Sequence, residues 1–255
     1  MLRLGSGDPL VLFHGILGSE RMWRAVLPHL AYRCDAIAPT ALGHSGGSPA
    51  LNRPARIVDV IDDAERLLDS LGLQTAHLAG NSMGGWVALE LARRGRARSV
   101  CTFSPAGFWE PGTGRPPRAS HALRRTIRDT RRGRPFLPVL ARSGRFRRWA
   151  MQLNAVHGDR MSAADVVGAA DDLLECAVAH DLLGTSESIA PFERAPCPMT
   201  LVWSARDRVF PVGVISPRAR KSLPDARYLV LDDVGHVPMF DDPALVARTI
   251  LRSID

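Results

Sequence analysis

Two rhythms of apolar residues alternate along this chain. Short, largely apolar runs occur at Leu10–Phe13, Cys34–Ala38, Ser99–Phe103, Met199–Trp203 and Tyr228–Leu231, with another at Leu78-Ala79 leading into Gly80. Runs of this kind, with little polar alternation, read as strands buried on both faces. Between them the spacing becomes helical. Ile57, Val60, Ile61, Ala64, Leu67, Leu68 and Leu71 mark one face of a helix that starts near Pro54 and stops at Gly72. Ser19 is placed to cap a helix carrying Trp23, Val26, Leu27 and Leu30, Trp86 to Arg94 continues as another, and Asp242-Pro243 opens a last one through Ile250. Strand and helix in alternation predict an α/β protein, a mostly parallel sheet with helices on both faces.

The alternation stops at Ser104-Pro105-Ala106-Gly107 and resumes at Met199. The intervening residues contain no buried-strand pattern, whereas Ser162-Ala163-Ala164-Asp165 is a capping box opening an amphipathic helix. Residues 106–197 are therefore expected to be a helical insertion in a core formed by 1–105 and 198–255.

Candidate chemistry centres on Gly80-Asn81-Ser82-Met83-Gly84. A serine flanked by glycines at the junction of a strand and a helix reads as a nucleophile elbow, with strained backbone at the serine and small neighbours where side chains would collide. A second match, Gly43-His44-Ser45-Gly46-Gly47, runs into the proline-bearing loop Ser48–Pro54 with no immediate helix, so Ser82 is the expected nucleophile. A serine hydroxyl needs a base held by a carboxylate. Asp207 and His236 each follow a predicted strand, so in a parallel sheet they reach the same edge as Ser82. Asp232, Asp233, Asp241 and Asp242 are rivals for the acid role, the last better explained as a helix cap. The backbone N–H groups of Met83, at the helix start, and Ile16, after His14-Gly15, are the expected oxyanion donors. Phe108, Trp109, Val209, Phe210, Met239 and Phe240 flank these loops as candidates for an apolar pocket.

Together, His14-Gly15-Ile16-Leu17-Gly18-Ser19, Gly43-His44-Ser45-Gly46-Gly47-Ser48 and Gly80-Asn81-Ser82-Met83-Gly84-Gly85 resemble the oxyanion loop, second glycine loop and elbow of the α/β-hydrolase superfamily, serine branch. The resemblance implies that fold, Ser82 as nucleophile, Asp207 as acid, His236 as base, and the insertion as a helical cap. Only nine residues precede the first predicted strand, so the family's first strand is expected to be missing and its second at most vestigial. Thr40 stands where relatives often carry aspartate, and serine at 82 argues against relatives that open epoxides through an alkyl-enzyme ester.

Composition narrows the setting. A chain of 255 residues with 45% hydrophobic and 23% charged residues can bury a sizeable core, which excludes a largely disordered protein. No apolar run approaches the ~18 residues of a membrane span, and the N-terminus has no signal-like core, so a cytoplasmic location is expected. Cys34, Cys101, Cys176 and Cys197 are widely separated and read as isolated thiols, so no disulfide, metal or cofactor is expected. The net charge is +7, but between Pro105 and Arg160 thirteen arginines face only Glu110, Asp129 and Asp159. The run at 115, 118, 124, 125, 128, 131, 132, 134, 142, 145, 147 and 148 reads first as a solvated face, and functionally as a means of steering an anionic substrate. Nucleic acid is not expected, because no series of stacking aromatics accompanies the arginines.

The predicted activity is hydrolysis of a small carboxylic ester or thioester. A carbon–carbon bond hydrolase on the same triad, and a receptor-like or scaffolding protein with little turnover, are the alternatives.

Overall fold

The computed structural model describes residues 1–110 and 118–254. Strands β1 (Leu2–Leu4), β2 (Asp8–Phe13), β3 (Cys34–Ala38), β4 (Ala76–Asn81), β5 (Ala97–Phe103), β6 (Met199–Ser204) and β7 (Arg227–Leu231) form one sheet in the order β1-β3-β2-β4-β5-β6-β7. All neighbours run parallel except β1, which pairs antiparallel with the outer side of β3, Leu2 opposite Ala38. The residues before β2 thus supply only this short edge strand.

The continuous apolar runs divide by the two-residue period of a strand into two cores. Val11, Phe13, Leu78, Val100, Leu201 and Trp203 face one side, against α1 (Ile57–Ser70) and α2 (Met83–Arg93). Leu10, Leu12, Ala79, Cys101, Phe103 and Val202 face the other, against Trp23, Val26 and Leu30 and, from the C-terminal helix, Val246 and Ile250. Burial on both faces is why polar alternation is missing from these strands.

The helix expected after Ser19 is instead two 3-10 turns, Glu20–Trp23 and Leu27–His29. Pro28 is the physical reason: an α-helix from Ser19 to Leu30 would place it in the interior, where it has no N–H to donate and its ring meets a carbonyl one turn back. Burial is retained, with Trp23, Val26 and Leu30 fully enclosed.

Between β5 and β6 the regular elements among the described residues are helical: α3 (Arg118–Gly133), α4 (Leu137–Leu140), α5 (Gly144–Ala150), α6 (Ala163–Glu175) and α7 (Ala179–Leu182), with short 3-10 turns. Leu137, Ala141, Met151, Met161, Val166 and Ala170 give this segment a small core of its own. Ser162 caps α6 as its sequence predicts, its Oγ accepting the Asp165 N–H at 3.0 Å.

After β6 comes α8 (Val212–Ser222), which the apolar pattern does not reveal: Pro217 lies inside it and only Ala219 is buried. After β7, α9 (Pro238–Asp241) is followed by α10 (Pro243–Ile254), where Asp242 accepts the Leu245 N–H at 2.8 Å, the capping role expected of it. All four cysteines remain thiols. Among the described residues no helix is long and apolar enough to cross a membrane.

Leu78, at the centre of β4, is 1% exposed, whereas Val230 on β7 is 50% exposed. Urea unfolding should register a loss of about 2–5 kcal/mol for Leu78→Ala. Val230→Ala should change stability by less than about 1 kcal/mol, and equal effects would contradict the placement of the core.

Candidate active site

Ser82 is the single residue between β4 and α2, and its backbone lies at φ 54°, ψ −114°. Steric closeness dictates the residues on either side of it. A Cβ at position 80 would lie 2.2 Å from the Gly84 carbonyl oxygen, and one at position 84 would lie 2.2 Å from the carbonyl oxygen of Phe13 on β2. Only glycine permits both approaches. The strained residue is held on three sides: its N–H donates to Phe103 O at 2.9 Å, and its carbonyl accepts from Ala106 N at 2.9 Å and Trp86 N at 3.2 Å. The Met83 N–H lies in the first turn of α2, where an amide has no intrahelical acceptor.

Asp207 follows β6 and His236 follows β7, and the two side chains meet with Oδ2 2.8 Å from Nδ1. The second carboxylate oxygen accepts the amides of Val209 and Phe210 at 2.8 and 2.7 Å. An ionised carboxylate can only accept, so Nδ1 carries the proton and Nε2 is left as the basic nitrogen. Burial opposes the charge on Asp207, but attraction to and hydrogen bonding with His236, together with the Phe210 amide, outweigh it and hold the carboxyl below its ordinary value. The Phe210 ring meets the His236 ring edge-on at 5.1 Å.

Three of the four rival acids are engaged elsewhere. Asp241 is buried and accepts three amides, Gly235 at 2.7 Å, His157 at 2.7 Å and Val156 at 3.2 Å. Asp233 pairs with His157 Nε2 at 2.8 Å on the surface, and Asp242 caps α10. Asp241 therefore ties the loop carrying His236 to the helical segment, and Val237 N reinforces the tie by donating to Asn154 O at 2.8 Å. Asn81, beside Ser82, donates through Nδ2 to the His236 carbonyl at 2.8 Å and the Phe103 carbonyl at 3.1 Å. These positioning roles of Asn81 and Asp241 carry no signal in residue spacing, since each depends on partners distant in sequence.

The His14-Gly15-Ile16 loop abuts the elbow: a Cβ at Gly15 would sit 3.4 Å from the Ser82 Cβ. His14 is buried, its Nε2 accepts the Ala41 N–H at 2.9 Å, and its Nδ1 lies 2.7 Å from Gly15 O. An amide can only donate, so Nε2 is unprotonated and Nδ1–H donates to Gly15 O, which makes the ring a neutral strut of the loop. His44 packs edge-on against it at 5.0 Å. Burial lowers His14 to about 4, and burial together with its histidine neighbour lowers His44 to about 3. Ser45 lies in a turn and hydrogen-bonds Glu175, with no helix following it. Thr40 hydrogen-bonds the Glu20 carboxylate and accepts the Glu20 N–H at 3.2 Å, taking a polar partner at its position.

Two cavities meet at Ser82. One, of about 50 Å³, is apolar, and Trp86, Trp109, Leu182 and Phe210 are among its walls. The other, of about 720 Å³, holds His236, Asn81, Met239 and Phe240 in its walls, with Arg21, Arg24 and Arg160 also reaching it. Ile16, Ser82 and Leu123 line both, and Met83 lines the smaller. Of the expected pocket residues, Phe108 and Val209 line neither cavity; both are buried in the core, Phe108 against Trp203. None of the arginines from 124 to 148 lines these cavities, and Arg115 lies outside the described residues.

Comparison with known proteins agrees with this architecture. Residues 10–249 match the model of the alpha/beta hydrolase family. A Mycobacterium tuberculosis protein named epoxide hydrolase EphH is 37% identical over 205 residues, covering 76% of this chain and 92% of its own length. A 2-hydroxymuconate semialdehyde hydrolase of a Pseudomonas species is 35% identical over 114 residues, 43% of this chain and 40% of that protein. Among solved structures, a thermophilic esterase from Thermogutta terrifontis superposes with a TM-score of 0.73 at 24% identity, covering 99% of this chain and 92% of the other, a likeness of fold.

The neutral histidines set a pH dependence. Unfolded histidines take up protons near pH ~6.5, whereas His14 and His44 in the folded chain do so only at about 4 and about 3. Their contribution to stability is therefore intact above the unfolded value and is lost as pH falls toward the folded values. Each ring should add a slope approaching ~1.4 kcal/mol per pH unit in that window. Urea unfolding across it should show this slope, with His44→Gln removing about half; an unchanged slope in the variant would refute the assignment.

Proposed function

We propose that the chain, which belongs to the alpha/beta hydrolase family, hydrolyses carboxylic esters or thioesters through an acyl-enzyme on Ser82. The observation that carries this reading is the serine held in strained backbone at a helix N-terminus, in one cavity wall with a histidine whose Nδ1 is fixed by a buried carboxylate. Ser82 Oγ adds to the substrate carbonyl carbon while its proton passes to His236 Nε2. The carbonyl oxygen, now negative, is held by the amides of Met83 and Ile16. His236 returns the proton to the departing alcohol or thiol, and an acyl-serine remains. Water then repeats the sequence, delivering a proton to His236 and its oxygen to the acyl carbon. Collapse releases the carboxylic acid and restores the Ser82 hydroxyl.

The relative named an epoxide hydrolase raises a second reading, and the nucleophile's chemistry weighs against it. Opening an epoxide with Ser82 would leave an alkyl ether, which has no carbonyl for water to attack. The relative named a semialdehyde hydrolase raises carbon–carbon cleavage, for which an acyl-serine remains suitable chemistry. An assay panel of simple esters, thioesters, epoxides and vinylogous diketones separates the three.

The helical segment 106–197 acts in this reading as the cap. Trp109, Leu123, Leu182, Met151 and Met161 come from it and wall the two cavities. The cavities also suggest an orientation. The atom protonated by His236 must depart on the histidine's side, and His236 lines the large cavity but not the small one. The leaving group therefore occupies the large cavity and the acyl group the small one. The small cavity, about 50 Å³ and walled largely by apolar side chains, suits a short acyl chain better than a long one.

Three outcomes are expected. Ser82→Ala should lose about 10³-fold or more in kcat with its melting temperature unchanged, and Asp207→Asn a comparable amount, because the amide favours the wrong imidazole tautomer. A fluorophosphonate should label Ser82 and leave Ser45 unmodified; labelling at Ser45 would overturn the nucleophile assignment. In a series of esters sharing one alcohol, kcat/KM should be highest for acetyl to butyryl and drop for longer chains, with Trp109→Ala extending the tolerated length. A flat series would refute the assignment of the small cavity.

A further inference from the structure

The surface from Arg131 to Trp149 is not used by the hydrolytic reading, and its chemistry is unusual for water-exposed protein. Phe136, Val139, Leu140 and Trp149 are exposed at 66%, 66%, 45% and 64%. They lie on the turn after α3, on α4 and on α5, and Trp149 is extended by the ring of Phe146 at 5.5 Å. On α4 the division is sharp, with Leu137 and the following Ala141 buried in the segment's small core while Val139 and Leu140 face outward. Four large apolar groups exposed on three consecutive short elements make this stretch a candidate docking surface, because large exposed apolar patches mark interaction sites.

The charges around them narrow the partner. Arg134 pairs with Asp171 and Arg148 with Asp159, and Arg147 is spent on the carbonyls of Ala141, Arg142 and Asp159. Among the described residues no acid pairs with Arg131, Arg132, Arg142 or Arg145, which flank the apolar side chains on both sides in sequence. Apolar groups interspersed with unpaired arginines suit a layer that offers hydrocarbon just beneath mobile anions. There aromatic and aliphatic tips can enter while guanidinium groups stay at headgroup depth on their long stems.

We propose that this face, formed by the end of α3 with α4 and α5, docks on an anionic lipid bilayer surface. The segment runs on from Trp149 into Met151, Leu153 and Met161, which wall the large cavity. The inference is independent of the ester chemistry, since it concerns a different surface.

Vesicle sedimentation and tryptophan emission test it on the full chain. Of the five tryptophans, Trp23, Trp86 and Trp203 are buried, and Trp109 is half-buried with its Nε1 bonded to Glu187 O at 2.6 Å, so Trp149 is the exposed reporter. Mixed phosphatidylcholine–phosphatidylglycerol vesicles should sediment the protein at low salt and shift its emission to the blue, and the shift should vanish in Trp149→Phe. Phosphatidylcholine alone should not. Arg131→Ala with Arg132→Ala should weaken partitioning on the order of twenty- to thirtyfold, each arginine near such a surface being worth roughly fivefold. Phe136→Ser with Val139→Ser should weaken it as well, with melting temperatures unchanged because these positions are exposed.

The proposal is overturned by failure to bind mixed vesicles, or by undiminished binding of the Phe136→Ser, Val139→Ser variant, which would indicate adsorption by charge alone. Self-association that shifts Trp149 emission in vesicle-free buffer would also overturn it, by making a second copy of the chain the occupant.

Discussion

At the elbow backbone lies directly against backbone, and the site depends on it. Gly84 at the start of α2 lies under the Phe13 carbonyl of β2, Gly80 at the end of β4 lies under the Gly84 carbonyl, and Gly15 leans on Asn81 and Ser82. No side chain separates the helix from the strand ends, so α2 enters close enough for its first turn to face the serine. The cost is a left-handed serine, a conformation worth about 1–3 kcal/mol of strain, held by hydrogen bonds from three different segments. Substitution of either glycine would disturb the serine, the helix amides and the neighbouring loop together.

Around that contact, buried polar groups act as struts. Asn81 joins the elbow to the backbone of His236 and to β5. His14 holds the loop of Ile16 to Ala41, and Asp241 holds the loop of His236 to Val156 and His157. His14 and Asp241 are bonded on both sides of their side chains, and Asn81 uses its Nδ2 donors while its buried Oδ1 has no partner among the described residues. Asp241 has a further consequence. Because it bonds the histidine loop and the helical segment through one carboxylate, displacement of that segment acts on His236 directly.

The charge of the chain is divided in the same way. Arg96, one of the less exposed arginines, is paired with Glu65 and Asp69 and donates to the Leu73 and Gln74 carbonyls. The excess collects on the helical segment, where the arginines from 124 to 148 line neither cavity, while Arg160 of that segment reaches the large cavity together with Arg21 and Arg24 from the turns after β2. Net charge alone would not separate these populations.

Much of this protein was written locally in its sequence. The six longer strands, the helix that ends at Gly72, the caps at Ser162 and Asp242 and the glycine-flanked elbow follow from periods of two and 3.6 residues and from the steric needs of adjacent residues. What the sequence left open depends on partners brought together through space. Pro28 turned an expected helix into two 3-10 turns whose apolar residues are still buried, and α8 formed despite Pro217 and little apolar periodicity. Asp232, Asp233, Asp241 and Asp242 all lie within six residues of His236 in sequence, and Asp207 does not. Only the fold brought Asp207 to His236 across 29 residues while committing Asp241 to Val156 across 85. Phe108 and Val209 went to the core and Trp109 and Phe210 to the small cavity, though all four flank the same loops. Residue type and spacing determine which elements form, but hydrogen-bond partners and cavity walls are set by contacts between distant segments, which neither type nor spacing encodes.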